Sequence, residues 1–457
     1  MVIKGPKTIT KKSGPQKKIM QYNLVHPDLV HEIIQETGKS TNELQIREWV
    51  GIVNNLTQRS QDLHFIRMEL GNPGLPAVEI GVTAQIEALL EDVAGNYPPI
   101  NGIPLLKEEA SRFTKNFLDL DVNANNCIPT VGSMQGCYAS LMIANHISNY
   151  KDTTLFIDPG FPVNKLQAKI LGIKIEHFDI YNYRGEKLRN KLEYVLNKGN
   201  IHSILYSNPN NPTWVCLTDE ELRIIGKLAT KYGCIVIEDL AYFGMDFRKD
   251  YSHPGIEPYQ PSVGKYTDNY ILMLSSSKAF SYAGERCAIM GISNALASSK
   301  YSCLKRFFGQ KKFLDAILYG ILAPLSSGTS HSAQYGLAAI LKAVNDGKYN
   351  YRNDVIEYGE KASTMKEIFT NNRFYIVYDK DGKEQIADGF YFTVNYPGFT
   401  GADLAVELLC YGISCIPLKP CGSNEEGVRI CSSLIKREEM PILGERLKAF
   451  HKDHPTK

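Results

Sequence analysis

The stretch "LSSSKAFSYAGERC", residues 274–287, sets a lysine directly behind three serines and an arginine eight residues further on. Two readings compete for it. One is a solvated loop rich in small polar residues. The other is an anion-holding turn, in which Ser275, Ser277 and Arg286 grip a strongly anionic group and bring its partner to Lys278. The surrounding sequence has to decide between them.

The bulk properties narrow the field. With 457 residues, 43% of them hydrophobic and 22% charged, the chain reads as a soluble globular protein of two or three domains or subdomains. A formal charge of +2 offers no bulk attraction to nucleic acid or to an acidic membrane, so neither is expected as a partner. The start, "MVIKGPKTITKKSGPQKK", is basic but lacks the apolar core of a signal peptide, and no apolar run reaches membrane-spanning length. Ten cysteines without a CxxC pair fit a reducing compartment, which makes a cytoplasmic location the expectation. No GxGxxG follows a strand, and neither GxxxxGK[ST] nor HExxH occurs. The histidines do not cluster with cysteines at zinc spacing, so no metal site is expected.

Along the chain, residues 1–18 read as a polar tail and about 27–56 as a helical stretch without a domain-scale hydrophobic pattern. From about 126 to 294, short apolar runs alternate with helix-like segments. The runs "TTLFID" (153–158), "HSILYS" (202–207), "CIVIED" (234–239), "YILMLS" (270–275) and "CAIMGI" (287–292) predict strands covered on both faces of a mostly parallel sheet. Thr218 and Glu221 form a capping box ahead of "LRIIGKLATKY", and Gly233 stops that helix. Strand, helix and strand repeated in this way predict an α/β layer with right-handed crossovers. After about 345 the pattern changes to paired strands around a DG turn, two helices and two further strands, a smaller α+β domain. The boundaries so read are 1–60, a tail and helical extension; 61–95, a segment joining the small domain; 96–344, the large domain; and 345–457, the small C-terminal domain.

In open α/β sheets ligands sit beyond the carboxyl ends of the strands. Polar or aromatic residues stand after each candidate strand: "NPNNPTW" (208–214), Asp239 with Tyr242, "SSSKAF" (275–280) and "DPGFP" (158–162). "TVGSMQG" (130–136) opens a helix. Five such segments on one edge are hard to obtain by chance.

In this order, "YPPINGIPLLKE", "VGSMQG", "DPGFP", "NPNNPT", "DLAY", "SSSKAFSYAGER" and "GVRIC" resemble the aspartate aminotransferase superfamily, the fold-type I class I/II aminotransferases that use pyridoxal 5'-phosphate. The resemblance spans about Tyr97 to Cys431. It implies a large α/β domain that binds the cofactor, a smaller α+β domain, and transfer of an amino group from an amino acid to a 2-oxo acid. Lys278 is then the Schiff-base lysine, which must shed its charge to act as nucleophile and proton shuttle. Ser275, Ser277 and Arg286 form a phosphate cup, joined by the helix start at Ser133, Met134 and Gln135. Asp239 pairs with the pyridine nitrogen, Asn211 and Tyr242 bond the ring oxygen, and Phe161 stacks on the ring. Arg429 grips the substrate carboxylate, with Asn211 and Gly71 as further substrate contacts. Tyr97 reaches the phosphate of a neighbouring subunit in a homodimer.

One departure is Trp214, where the family usually has glycine after N-P-T. If that position needs a positive φ, tryptophan is strained, so a different local turn is expected. The same cofactor cup also serves lyases and other α-carbon chemistry, so that alternative stays open. Regulators carrying an aminotransferase-like domain have a helix-turn-helix module in front. The 60 or so leading residues show no recognition helix.

Overall fold

The computed structural model describes residues 22–61 and 63–456; the basic tail 1–18 lies outside them. The larger sheet has seven strands: β1 (Cys127–Val131), β2 (Thr153–Asp158), β3 (Lys174–Asp179), β4 (Ile201–Ser207), β5 (Ile235–Leu240), β6 (Tyr270–Ser275) and β7 (Cys287–Ile292). Their order is β1-β7-β6-β5-β4-β2-β3. The run from β6 to β3 is parallel, whereas β7 is antiparallel to both β6 and β1. Strands β2, β4, β5, β6 and β7 are buried along their whole length, as all-apolar runs covered on both faces must be. The sequence did not announce β1 or β3. β1 carries Pro129, which an outer strand tolerates, and β3 is the opposite edge with its first residues half-buried or exposed.

The helix Asp219–Tyr232 returns the chain from β4 to β5 and shows how local chemistry sets the layer. The Thr218 hydroxyl accepts the Glu221 N–H at 3.3 Å, and the Glu221 carboxylate accepts the Thr218 N–H at 3.0 Å. Gly233 ends the helix at φ +59°.

The antiparallel β7 has a consequence for the site. Cys287 pairs with Val131 and Ala288 with Ser275, so β7 begins at the edge where β1 and β6 end. Arg286 therefore stands beside the turns that carry Gly132 and Lys278.

A second core gathers around a four-stranded antiparallel sheet of β8 (Tyr375–Ile376), β9 (Tyr391–Asn395), β10 (Ile416–Pro417) and β11 (Val428–Cys431), in the order β10-β11-β9-β8. The stretch read as one helix over 27–56 is two, Pro27–Glu36 and Ile46–Arg59, separated where Gly38 takes φ +67°. Each helix has an apolar face, and neither forms a core of its own. Val30, Ile33, Trp49, Ile52, Val53 and Leu56 bury into this second core with Met365, Phe369 and Leu408. The break resets the helical phase.

Two features seat the second core on the first. Asp381, at the tip of the 380–385 hairpin, is buried and accepts from Arg184 Nη1 at 2.7 Å, Arg248 Nη2 at 2.7 Å and the Cys216 N–H at 3.1 Å. Trp214 stands at φ +67° with no exposed surface. The expected change of turn does not occur: the turn keeps its left-handed position. The Trp214 N–H reaches the Asn210 carbonyl at 2.9 Å, and Asn210 Oδ1 accepts from Thr213 Oγ1 at 2.7 Å. A left-handed side chain costs about 1–2 kcal/mol, while burying a ring this large contributes about 4 kcal/mol. Burial wins. The indole lies on Gly389, where a β-carbon would stand 2.1 Å from Cε2.

That contact makes a prediction. Gly389→Ala should lower stability by about 2–3 kcal/mol in denaturant titration, and by less than about 1 kcal/mol in a Trp214→Gly background. Equal losses in the two backgrounds would show that the indole is not what the new methyl meets.

Candidate active site

Lys278 sits on the short helix Ser276–Ala279 directly after β6, where the Ser275 hydroxyl caps the turn by accepting the Ser277 N–H at 3.2 Å. Its Nζ donates to the Gly71 carbonyl and lies 5.1 Å from the centre of the Phe390 ring. Burial lowers its pKa to about 8; the Cys431 thiol opposes that fall, and Arg429 and Arg286 add to it. A lysine in this setting is a workable base near neutral pH.

On the neighbouring strand, Asp239 is the penultimate residue of β5, opposite Ser207 in β4 and Met273 in β6. Its Oδ1 accepts the Ala241 N–H at 3.1 Å. Among the described residues no lysine or arginine forms an ion pair with it. Burial pushes its pKa up to about 7, and its charge helps raise the Cys137 thiol on the helix Gly132–Ala144.

An anion cradle lies at the same edge. Gly132 takes φ +65°, and a β-carbon there would stand 2.3 Å from Arg286 Nη2. The Gly132 N–H donates to the Arg286 carbonyl at 3.0 Å, and Arg286 Nη1 donates to the Ala283 carbonyl at 2.7 Å. An α-helix that starts at Gly132 takes the Gln135 N–H for the Val131 carbonyl. It leaves the N–H groups of Ser133 and Met134 without an intrahelical acceptor. The Gln135 side chain works structurally, accepting the Val131 N–H at 2.9 Å and donating to Ser326 Oγ at 2.9 Å. The Ser133 hydroxyl is buried without a partner.

The second sheet contributes Arg429, 1% exposed, from β11. Its Nη1 donates to Asn211 Oδ1 at 3.1 Å and its Nη2 to the Glu69 carbonyl at 2.6 Å, while its buried Nε has no partner. Its guanidinium carbon lies 4.5 Å above the Tyr391 ring. Tyr242, buried after β5, donates its hydroxyl to Tyr391 Oη at 2.8 Å. The segment 66–74 threads between the two sheets. Ile66–Arg67 pairs with Ile413–Ser414, the Met68 carbonyl accepts the Cys431 N–H at 3.1 Å, and the Glu69 and Gly71 carbonyls receive Arg429 and Lys278.

Hydrogen bonds or close packing therefore link Lys278 to Gly71, Asn211 to Arg429, Gly132 to Arg286 and Ser275 to Ser277. Phe161 caps the helix Pro162–Ile170 after β2 and is half-buried. Met134 offers its carbonyl to Gln167 at 2.9 Å. Tyr97 is 88% exposed and so is not packed within its own chain. Sequence reasoning missed Tyr391, Phe390 and the Glu69 carbonyl. The alternation in "FYFTV" was the available signal for Tyr391, which faces the same way as Thr393, the register partner of Arg429. Among the described residues no cluster of three His, Cys, Asp or Glu is arranged to hold a metal ion.

The buried Asp239 has a pH signature. Its folded pKa, near 7, lies above the ordinary carboxylate value, so the stability it lends is full below about pH 4 and is lost as pH rises to about 7. Ligand-free Asp239→Asn protein should therefore gain on the unaltered chain by a few kcal/mol between pH 4 and 8 in denaturant titrations. A pH-independent difference would mean that Asp239 is already ionised throughout.

With this geometry in hand, comparisons with known proteins become informative. The family described as aminotransferase class I and II matches residues 65–447. A probable aspartate aminotransferase of Methanocaldococcus jannaschii is 26% identical over 79% of this chain and 86% of its own. A glutamate-pyruvate aminotransferase of Escherichia coli is 27% identical over 68% of this chain and 71% of its own. Among solved structures, an aminotransferase from Mycobacterium tuberculosis superposes with a TM-score of 0.73 at 15% identity, covering 89% of this chain and 95% of its own. The aspartate aminotransferase of Thermotoga maritima gives 0.71 at 18% identity, covering 92% and 99%. The last two establish the shared fold, and the family match over most of the sequence goes further: the chain belongs to the class I and II aminotransferases.

Proposed function

We propose that this aminotransferase holds pyridoxal 5'-phosphate at the edge formed by β1, β5, β6 and β7, and moves an amino group from an amino acid to a 2-oxo acid there. The observation that carries the reading is the meeting, at one sheet edge, of a lysine amine with pKa near 8, a buried carboxylate without a cation, and an arginine in a glycine-lined cradle. The residues fit the cofactor group by group. Arg286, Ser275, Ser277, the Ser133 hydroxyl and the N–H groups of Ser133 and Met134 suit a phosphate dianion. Asp239 suits a protonated ring nitrogen, and the charge missing beside it is the one that nitrogen would bring. Tyr242 and Asn211 suit the ring oxygen, and Phe161 a ring face.

When bound, the cofactor supplies an aldehyde for the amino group and a ring that accepts electron density from the substrate's α-carbon. The chain's own residues do the rest. Lys278 anchors the aldehyde end and carries the α-proton. Arg429 receives the substrate carboxylate, which would satisfy its orphan Nε and the charge that Asn211 and Glu69 leave unbalanced.

A panel of amino donors, followed through the absorption change of the bound cofactor and the release of the matching 2-oxo acid, tests the reaction. Lys278→Ala should abolish turnover. Arg429→Ala should cut kcat/KM by about two to four orders of magnitude, mostly through KM, with little change in the cofactor spectrum before substrate is added. Ammonia released in place of a product amino acid would overturn transamination in favour of lyase chemistry.

We further infer a homodimer in which Tyr97 completes the neighbouring site. Supporting it, the helix Glu79–Leu90 is apolar on more than one side. It packs Gly81 against Ile340, yet exposes Ile86, Leu89 and Leu90, the last at 83%. In equal mixtures of Tyr97→Ala and Lys278→Ala chains, half the dimers are mixed and each holds one intact site. Activity should therefore return to roughly a quarter of the unaltered level. Mixed dimers no more active than Tyr97→Ala alone would confine Tyr97 to its own subunit. Ten cysteines outside any disulfide, nine of them buried, favour a reducing compartment, and no helix among the described residues is long and apolar enough to cross a membrane.

A further inference from the structure

We propose that Tyr391 is a positioning residue of this site, coupling the group that bonds the cofactor ring to the group that binds the substrate carboxylate. This rests on the reading given above. Tyr391 lies on β9, in the second sheet, and touches both groups at once. Its hydroxyl is 2.8 Å from that of Tyr242, and its ring face lies 4.5 Å beneath the Arg429 guanidinium. A β-carbon on Gly71 would stand 2.1 Å from Tyr391 Oη, so the strap that meets Lys278 also closes over this hydroxyl.

The position is fixed from behind. Trp214 packs edge-on against Tyr242 at 5.4 Å and against Tyr391 at 6.2 Å, while Phe390 packs at 5.4 Å from Tyr242 and 5.1 Å from Tyr391. Trp214 takes its left-handed backbone to fill that space. The tryptophan that replaces the usual glycine is thus the backing of a tyrosine pair, and Tyr391 is the member of the pair that spans two domains.

Two separable effects follow. A phenol that donates to the Tyr242 oxygen makes the Tyr242 hydroxyl a stronger donor in its turn, because hydrogen bonds in a chain polarise one another. With Tyr242 directed at the ring oxygen, Tyr391 turns to donate to Tyr242 and so favours the ionised form of that oxygen. Separately, the π face holds the guanidinium in a desolvated position, where such contacts are strongest. The titratable and charged groups facing the pair are Arg429, Cys431 and Cys421, with Lys278 beyond Phe390. Burial raises both thiols above their usual range, so neither changes charge between pH 5 and 8.

Tyr391→Phe removes the hydroxyl and keeps the ring; Tyr391→Leu removes both. In the holoenzyme, both variants should raise the pH midpoint of the cofactor's visible absorption change by about half a unit. Only Tyr391→Leu should also raise KM for the amino donor, by about tenfold, while Tyr391→Phe stays within about twofold. An unmoved midpoint in Tyr391→Phe, or equal KM values in the two variants, would overturn the proposal. Either result would leave the aminotransferase reading intact. An unaltered chain that takes up no pyridoxal phosphate would overturn both.

Discussion

The most demanding group in this molecule is the Arg429 guanidinium, buried with no carboxylate beside it among the described residues. Leaving a charge unpaired in a protein interior costs several kcal/mol, so the surroundings must be arranged to keep it there. A carbonyl from residue 69, an amide oxygen from the turn at 211 after β4 and a ring face from β9 share the task. Each comes from a different part of the chain. Holding Arg429 is therefore the same problem as holding the N-terminal strap, the large sheet and the small sheet together. The Asp381 cluster supports the arrangement from a distance, because Arg184, Arg248 and the Cys216 amide fix the 380–385 hairpin next to the turn that carries Asn211.

The other half of the site depends on one reversal of strand direction. Had β7 run parallel to β6, Arg286 would have emerged at the far edge, away from Lys278. Because β7 is antiparallel to both its neighbours, the residue before it falls between the ends of β1 and β6. Gly132 is then required twice over, by a left-handed backbone and by the guanidinium that fills the space of a side chain.

Much of this was legible in the sequence, and the reasons are physical. Lys278, Asp239 and Asn211 follow long apolar runs, and such runs specify buried parallel strands whose ends share an edge. Arg429 was legible because a charged residue between Val428 and Ile430 has no place on an ordinary strand. β1 was hidden by Pro129 and β3 by its polar edge, and the break at Gly38 was what went unread in the N-terminal helical stretch. The turn at Trp214 was misjudged for a different reason. Local sterics alone argue against a left-handed tryptophan, and what offsets them is packing on residues distant in sequence, Gly389, Tyr242 and Tyr391. Tyr391 was overlooked because it touches Tyr242 after β5 as well as Arg429 on β11, and pattern within a strand does not encode contacts between sheets.

The unsatisfied groups also explain one another. Ser133 Oγ and Arg429 Nε each break the rule that buried polar atoms are partnered, and the buried Asp239 carboxylate accepts the Ala241 N–H but has no cation beside it among the described residues. A protein keeps such groups only where something else holds them, and here two apolar cores and the Asp381 cluster supply that stability. On the function proposed above, the Ser133 end with Arg286 would take a dianion, Asp239 a cation on a flat ring, and Arg429 a carboxylate. A phosphorylated pyridine carrying an amino acid has these three features, whereas an amino acid or a phosphate alone would leave at least one of them unmet.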